Sequence, residues 1–569
     1  MKSEILLKDL GEYVVNKSAL AQGAEYDKWL LLPYETGEFS GVALAAMDNF
    51  HPVAIKLSIG ASGWYKIYLG VLTFGGRAGI GVRFGKDDQT LIEPKLRVSH
   101  CWQPNEWIEE GFFRAMDLTG KNLTLTKSEC EGIMTTGGLA YIRLVPMTEE
   151  EVAAYQTKEG GCVAFHYDID FSRDFDKPEE ESYAGRLRML ENTCGGEWFL
   201  ETAFDHCYVD EPEGHVYLST VNKTHARRYA AYIKDATENH KSLIKEAKKL
   251  GYKTYATQRM EMADFCFPYS LYSWRSGIAD PYPEYHCKMR DGRSVEVLSY
   301  AYPKTRRLSI ELLMKPLEDG FDGLTLIFHR GLHVAFEQPV IDRVQQLYGV
   351  DARKLPFADE RLHGVLCEVM TTFMRELKAE VTRVYGDTKK INAIVYYDAT
   401  QSKQFGLDVE TWCKEGLVDG ICQGLMTHYE KLDGCLGEDG LIDLEKYKEE
   451  NGKRMVLCRT YDGDPKLVIN GAKELKPICD RYGKTFYASL LWEGNSPFTA
   501  WDMAQELREM GVTQFMSWNA NHKAKDMAYI NTERSIARKE TENKHESRFL
   551  RVLSMAGKDI SSFCQNWRG

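Results

Sequence analysis

From about residue 160 onward the chain alternates two textures, and that alternation restricts its fold more than any other feature. Short apolar runs of strand character are separated by amphipathic stretches of helical period. The runs are CVAFHYDID (162–170), EWFLETAFDHC (197–207), KTYATQRME (253–261), GLTLIFHRG (323–331), INAIVYYDA (391–399), VDGICQGL (418–425), KTFYASLLWE (484–493) and VTQFMSWNA (512–520). Between them lie HARRYAAYIKDATENHKSLIKEAKKLG, RLHGVLCEVMTTFMRELKAEVTRVYG, NGAKELKPICDRYG and FTAWDMAQELREMG, each closing on a Gly that suits the end of a helix. Strands joined through helices pair in parallel. Eight such units over roughly 400 residues predict an α/β fold, a (β/α)8 TIM barrel with insertions. A doubly wound open sheet is the alternative, but no GxGxxG follows any run. RMVLCRTYDG (454–463) is a ninth strand-like run, read as part of an insertion. Residues 262–305, rich in Tyr, Trp and Pro, read as a long loop over the barrel mouth.

The first 150 residues lack this alternation. Gly-punctuated runs follow one another there: HPVAIKLSIG, GWYKIYLGVLTF, AGIGVRFG, KNLTLTKS and LAYIRLVPM. They predict an N-terminal all-β sandwich. MTEEEVAAYQTKEGG is a polar connector. The expected division is therefore a sandwich over 1–150 and a barrel with insertions over 160–569.

Composition excludes several classes. A net charge of -12 argues against nucleic acid or an anionic membrane as the main partner. No window offers the ~18 consecutive apolar residues of a spanning helix. The start, MKSEILLKDLGEYVV, carries no apolar signal core, so no signal peptide is read and a cytoplasmic location is expected. The 14 Cys contain no CxxC pair and are expected to be mostly reduced core residues. No cofactor is expected.

In a barrel of this kind the C-terminal ends of the strands form the active face. Here those ends read His166-Tyr167-Asp168-Ile169-Asp170, Asp205-His206, Arg259-Met260-Glu261, His329-Arg330, Tyr396-Tyr397-Asp398, Gln423, Trp492-Glu493 and Trp518-Asn519-Ala520-Asn521-His522. Aromatic rings stack on sugar faces, while acids and amides bind hydroxyls. A pair of carboxylates can protonate a glycosidic oxygen and attack or stabilise the anomeric carbon. The convergence points to a carbohydrate substrate. Tyr167, Trp492 and Trp518 are expected to line a pocket floor. Each of these residues also has a plainer explanation as a turn, cap or packing group. Arg259 and Arg330 suit a uronate or sulfate, or more simply neutralise the barrel's own carboxylates.

The block FHRGLHVAFEQPVIDRVQQLYGVDARKLPFADERLHGVLCEVMTTFMRELKAEV carries an Arg-Gly after a strand, a Glu-x-Pro, a YGVD and a helical FMRELKA. With the LAYIRLVPMTEEEVAAY join and the segment from RDGR through LSYAYPKTRRLSIELL, it resembles the family-10-like glycosyl hydrolases. The resemblance implies a glycosidase barrel preceded by a carbohydrate-binding sandwich. It further implies an acid/base after strand four and a nucleophile ending strand seven, which map to Glu337 and Glu493. Such enzymes carry an Asn-Glu pair where this chain has His329-Arg330-Gly331, so Asp168, Asp205, Glu261 and Asp398 are the substitutes for the acid/base. Two other classes stay open. One is a metal-dependent hydrolase using His166, Asp168, His206 and His329, although no HxH or HExxH spacing occurs. The other is a sugar-binding protein on a barrel without catalysis. Sugar, linkage, anomeric outcome and oligomeric state, homo-oligomer included, are open at this level.

Overall fold

A computed structural model describes residues 3–22, 25, 27–46, 52–74, 80–85, 90–92, 104–127, 137–156, 163–167, 197–203, 216–218, 240–249, 251–260, 274–276, 282–329, 332–430, 434–451, 457–461, 464–490, 497–518, 532, 535–536 and 548–555. Its contacts divide the chain into two bodies, one of residues 1–162, 174–195 and 521–569 and one of 163–173 and 196–520.

The first body contains β1 (Ile5–Leu7), β2 (Leu30–Thr36), β3 (Ser40–Ala46), β4 (Ile55–Ser58), β5 (Trp64–Phe74), β6 (Ile80–Phe84), β7 (Thr90–Ile92), β8 (Pro104–Asp117), β9 (Asn122–Lys127) and β10 (Gly137–Pro146). Only strands and turns occur among the described residues from Leu30 to Pro146. The strands alternate as half-buried sheets require: Ile55 and Leu57 point into the core while Lys56 and Ser58 point out. A smaller sheet runs β4-β9-β6-β7. In the larger sheet β1 and β3 pair β10, β2 pairs β3, and β5 pairs both β8 and β10, so the sheet returns on itself. Ile67, Leu69 and Ile142 from the larger sheet share a core with Leu57, Val82 and Leu125 from the smaller one. Glu110 is buried and fully engaged, accepting from Tyr141 Oη at 2.9 Å and from Arg143 Nε at 2.9 Å and Nη2 at 2.6 Å.

One strand of this larger sheet comes from the far end of the chain. Arg548–Met555 lies between β2 and β8, antiparallel to both. The sequence reading gave this stretch to the barrel, yet its backbone partners are N-terminal strands.

The second body adds β11 (Val163–Tyr167), β12 (Glu197–Ala203), β13 (Val216–Leu218), β14 (Lys253–Arg259), β15 (Trp274–Ser276), β16 (His286–Lys288), β17 (Ser294–Leu298), β18 (Gly323–Ile327), β19 (Lys390–Val395), β20 (Gly420–Gln423), β21 (Met426–Glu430), β22 (Leu457–Tyr461), β23 (Thr485–Leu490) and β24 (Gln514–Ser517). β11, β12, β14, β18, β19, β20, β23 and β24 pair in that order, all in parallel, and β24 pairs β11 to close the ring. Seven ring strands fall inside the apolar runs, and β19 begins one residue before its run. Strands such as β18 are buried throughout, as expected where both faces of a parallel sheet are covered.

Helices precede the ring strands from β14 onward: His240–Lys249, Pro303–Glu318, Gln338–Tyr348 and Glu360–Tyr385, Ala399–Gln404 and Val409–Lys414, Pro465–Arg481, and Pro497–Glu509. Asp359, Asp398, Asp408 and Asp464 cap four of these by accepting a backbone N–H of the first turn. β21 and β22 form an antiparallel pair outside the ring, where 454–463 was expected as an insertion. Within 262–305, read as loop, β16 and β17 form an antiparallel pair and β15 pairs β13. Short, mixed strands of this kind carry little periodicity to read.

Candidate functional site

The C-terminal ends of β18, β19, β20, β23 and β24 meet in a connected polar layer. Trp518 follows β24 and donates from Nε1 to Ser489 Oγ of β23 at 2.9 Å. That hydroxyl donates to the backbone carbonyl of Gln423 at the end of β20. The Gln423 amide reaches the other side of the sheet and donates from Nε2 to Tyr397 O and Val468 O, both at 2.8 Å. His329, after β18, meets the Trp518 ring edge-on with centroids 5.0 Å apart. Trp518 and His329 are each 1% exposed, so Trp518 offers no ring face to solvent and does not line an open pocket floor as expected. Tyr397 is likewise buried.

Asp398 is half-buried at the start of the helix Ala399–Gln404, where its carboxylate accepts Gln401 N at 2.6 Å. Burial, with the Glu474 charge adding to it, holds its pKa above the ordinary carboxylate value against that hydrogen bond.

Glu337 has a different setting. It precedes the helix Gln338–Tyr348 and is 0% exposed. Its carboxylate accepts Lys288 N at 3.0 Å and Ala335 N at 2.9 Å. Burial pushes its pKa up, against those backbone hydrogen bonds. Phe336 N donates to Lys288 O at 3.1 Å and Tyr300 N to His333 O at 2.9 Å. Arg290 Nη1 donates to the carbonyls of Arg353 and Leu355, both at 2.6 Å. Glu337 thus ties the β16–β17 hairpin to the segment after β18. An acid/base must reach a substrate oxygen, and this carboxylate is enclosed by backbone.

Of the other expected site residues, His166 and Tyr167 end β11 with their backbones paired to Phe199 and Leu200. Asp168, Asp205, His206, Glu261, Arg330, Trp492, Glu493 and Asn519 lie outside the described residues. Among the described residues no group of His, Cys, Asp or Glu is placed to hold a metal ion, and no helix is long and apolar enough to cross a membrane. Ser489 and His333 were not singled out in the sequence. Ser489 left a trace there, as a hydroxyl inside the otherwise apolar ASLL of KTFYASLLWE.

No protein-family model matches the chain, and no curated protein sequence matches it. Among solved structures it is similar to the glycoside hydrolase domain of PelA from Pseudomonas aeruginosa, with 14% identity over 63% of this chain and 95% of that one and a TM-score of 0.33. It is similar to the PgaB (BpsB) glycoside hydrolase domain from Bordetella bronchiseptica, with 13% identity, 65% and 98% coverage and a TM-score of 0.40. A maltogenic alpha-amylase, AmyB from Thermotoga neapolitana, follows with 10% identity, 68% and 78% coverage and a TM-score of 0.33. Glycoside hydrolases of several families are thus among the solved structures that the chain is similar to, and no single family is assigned by them.

Proposed function

We propose that the chain is a glycoside hydrolase of the (β/α)8 class, cleaving an O-glycosidic bond of an oligosaccharide or glycoside with a pair of carboxylates. The observation that carries this reading is the closed ring of eight parallel strands whose chain continuations are rich in Asp, Glu, His, Tyr and Trp. In this reading Glu493, in the segment after β23, is the nucleophile of a retaining mechanism. Its partner is Asp168, Asp205, Glu261 or Asp398. The enclosure of Glu337 supports a positioning role for it and moves the acid/base elsewhere. The β-rich first body, residues 1–150 together with Arg548–Met555, is read as a sandwich that binds carbohydrate. A cytoplasmic location belongs to the same reading.

The test is turnover of an oligosaccharide panel by wild-type chain and by Glu493→Gln. Loss of several orders of magnitude in kcat is expected. Azide added to Glu493→Ala should restore part of the rate through a glycosyl azide. Near wild-type turnover by Glu493→Gln removes the residue from the mechanism. The enclosure of Glu337 keeps a second reading in view, a sugar-binding barrel without catalysis. Glycan binding by the wild-type chain without turnover of any bound glycan would favour it.

A further inference from the structure

We infer that the interior of the barrel holds ordered water along a row of polar side chains in the middle of the strands. Strand register aligns Thr257 of β14 with Thr325 of β18, Thr325 with Asn392 of β19, and Asn392 with Gly420 of β20. Two contacts orient the row. Gln423 bonds Val468 O of an outer helix, so Gly420, three residues earlier on the strand, points the opposite way. Phe328 packs on Trp412 of the helix Val409–Lys414, with centroids 5.4 Å apart, so Thr325 also points into the ring.

The row is sealed: Thr257 and Thr325 are 0% exposed and Asn392 is 3% exposed. Yet Thr257 Oγ1, Thr325 Oγ1 and Asn392 Nδ2 have no hydrogen-bond partner among protein atoms. A Cβ on Gly420 would stand 2.6 Å from Asn392 Oδ1, so the absent side chain there is what lets the amide lie across β20. Neighbouring strands are about 4.8 Å apart, a spacing at which one water can bridge groups aligned across them. Buried polar groups are almost always paired, and an internal water typically makes about three such bonds.

The donor set selects water over an ion. Two hydroxyls and a neutral amide carry no charge to hold an ion of either sign. Water accepts from the amide, both donates to and accepts from the hydroxyls, and suits either orientation of the Asn392 amide.

Two measurements on the full chain test this. A crystal structure that resolves ordered water should show peaks at about 2.7–3.2 Å from all three groups. A dry interior, or the three side chains repacked onto protein partners, overturns the inference. Independently, Thr325→Val keeps the shape and removes the hydroxyl. If water is held there, the variant strands one of its bonds and Tm falls. If the hydroxyl is merely unpaired, its removal relieves a cost and Tm is unchanged or raised, which overturns the inference. Thr257→Val should repeat the sign found for Thr325→Val, and should Thr325→Val not fold, the crystal structure alone decides.

Discussion

Trp518 is held by two unlike contacts, the hydrogen bond to Ser489 Oγ and the edge of His329. Its near-complete burial makes the ring a capping piece of the barrel core. Trp518→Ala should therefore lower unfolding stability by about 3–5 kcal/mol, read from the denaturant midpoint. Trp518→Phe keeps the ring and drops the donor, and should cost about 1 kcal/mol. Little change in either variant would mean that the ring is a surface group free to stack on substrate. His333 gives a residue-level test in pH. It is fully buried, bonds from Nε2 to Phe328 O at 2.7 Å, and burial lowers its pKa to about 4. A folded pKa below the ordinary 6.5 means that the neutral ring's contribution is complete above about pH 6.5 and is lost as pH falls toward 4. His333→Gln should flatten the fall in stability across that window by one proton's worth, compared with wild type in parallel urea titrations. Superimposable pH profiles would exclude the assignment. The sequence places Trp518 at a strand end but leaves open whether solvent or protein surrounds it. That depends on Ser489 and His329, on two other strands, and no local pattern reports them.

Among elements, the helix Pro465–Arg481 shows why spacing alone misjudges a residue. Gly471 sits in its interior, where Ala is better by about 1 kcal/mol on propensity. A Cβ there would lie 1.8 Å from Tyr397 O and 2.7 Å from Gln423 Nε2. The helix touches the strand ends at this point, and it is close enough for Gln423 to bond Val468 O of the helix and Tyr397 O together. Sterics should outweigh propensity. Gly471→Ala is expected to destabilise by about 1–3 kcal/mol, with a lower thermal midpoint as the readout. A raised midpoint would show that the helix moves away freely. The helix itself is legible from NGAKELKPICDRYG, because its apolar face and terminal Gly are local signals. So are the ring strands: β18, β19 and β23, buried along nearly their whole length, leave continuous apolar runs. The β16–β17 pair is not legible in this way. Its strands are three and five residues long, and what holds them is the Glu337 carboxylate and the Arg290 contacts, set far away in sequence.

At the scale of the whole molecule, the first body depends on a strand far along the chain, Arg548–Met555. The stretch RFLRVLSM alternates as a half-buried strand does, with Leu550 and Val552 buried and Phe549, Arg551 and Leu553 exposed. Nothing in the stretch itself names its partners, which lie more than 400 residues away in sequence, so a domain boundary drawn from local texture misses it. Its removal should have consequences that its length hides. β2 and β8 would each lose a neighbour, and the returning sheet would open to expose two edges. Leu550 and Val552 would leave a core shared with Leu32, Tyr34, Ile108 and Tyr141. The Arg548–Glu38 ion pair is half exposed and adds little by comparison. A chain ending at residue 547 should therefore yield to limited proteolysis within residues 30–117 well before the ring strands do, with mass spectrometry locating the cuts. The full chain carrying Leu550→Asp should show the same pattern, since a buried carboxylate without a partner opposes the strand's docking. A peptide of residues 548–555 added to the truncated chain should restore part of the protection by pairing between β2 and β8. If the truncated chain resists protease in residues 30–117 as the full chain does, the first body is complete without Arg548–Met555.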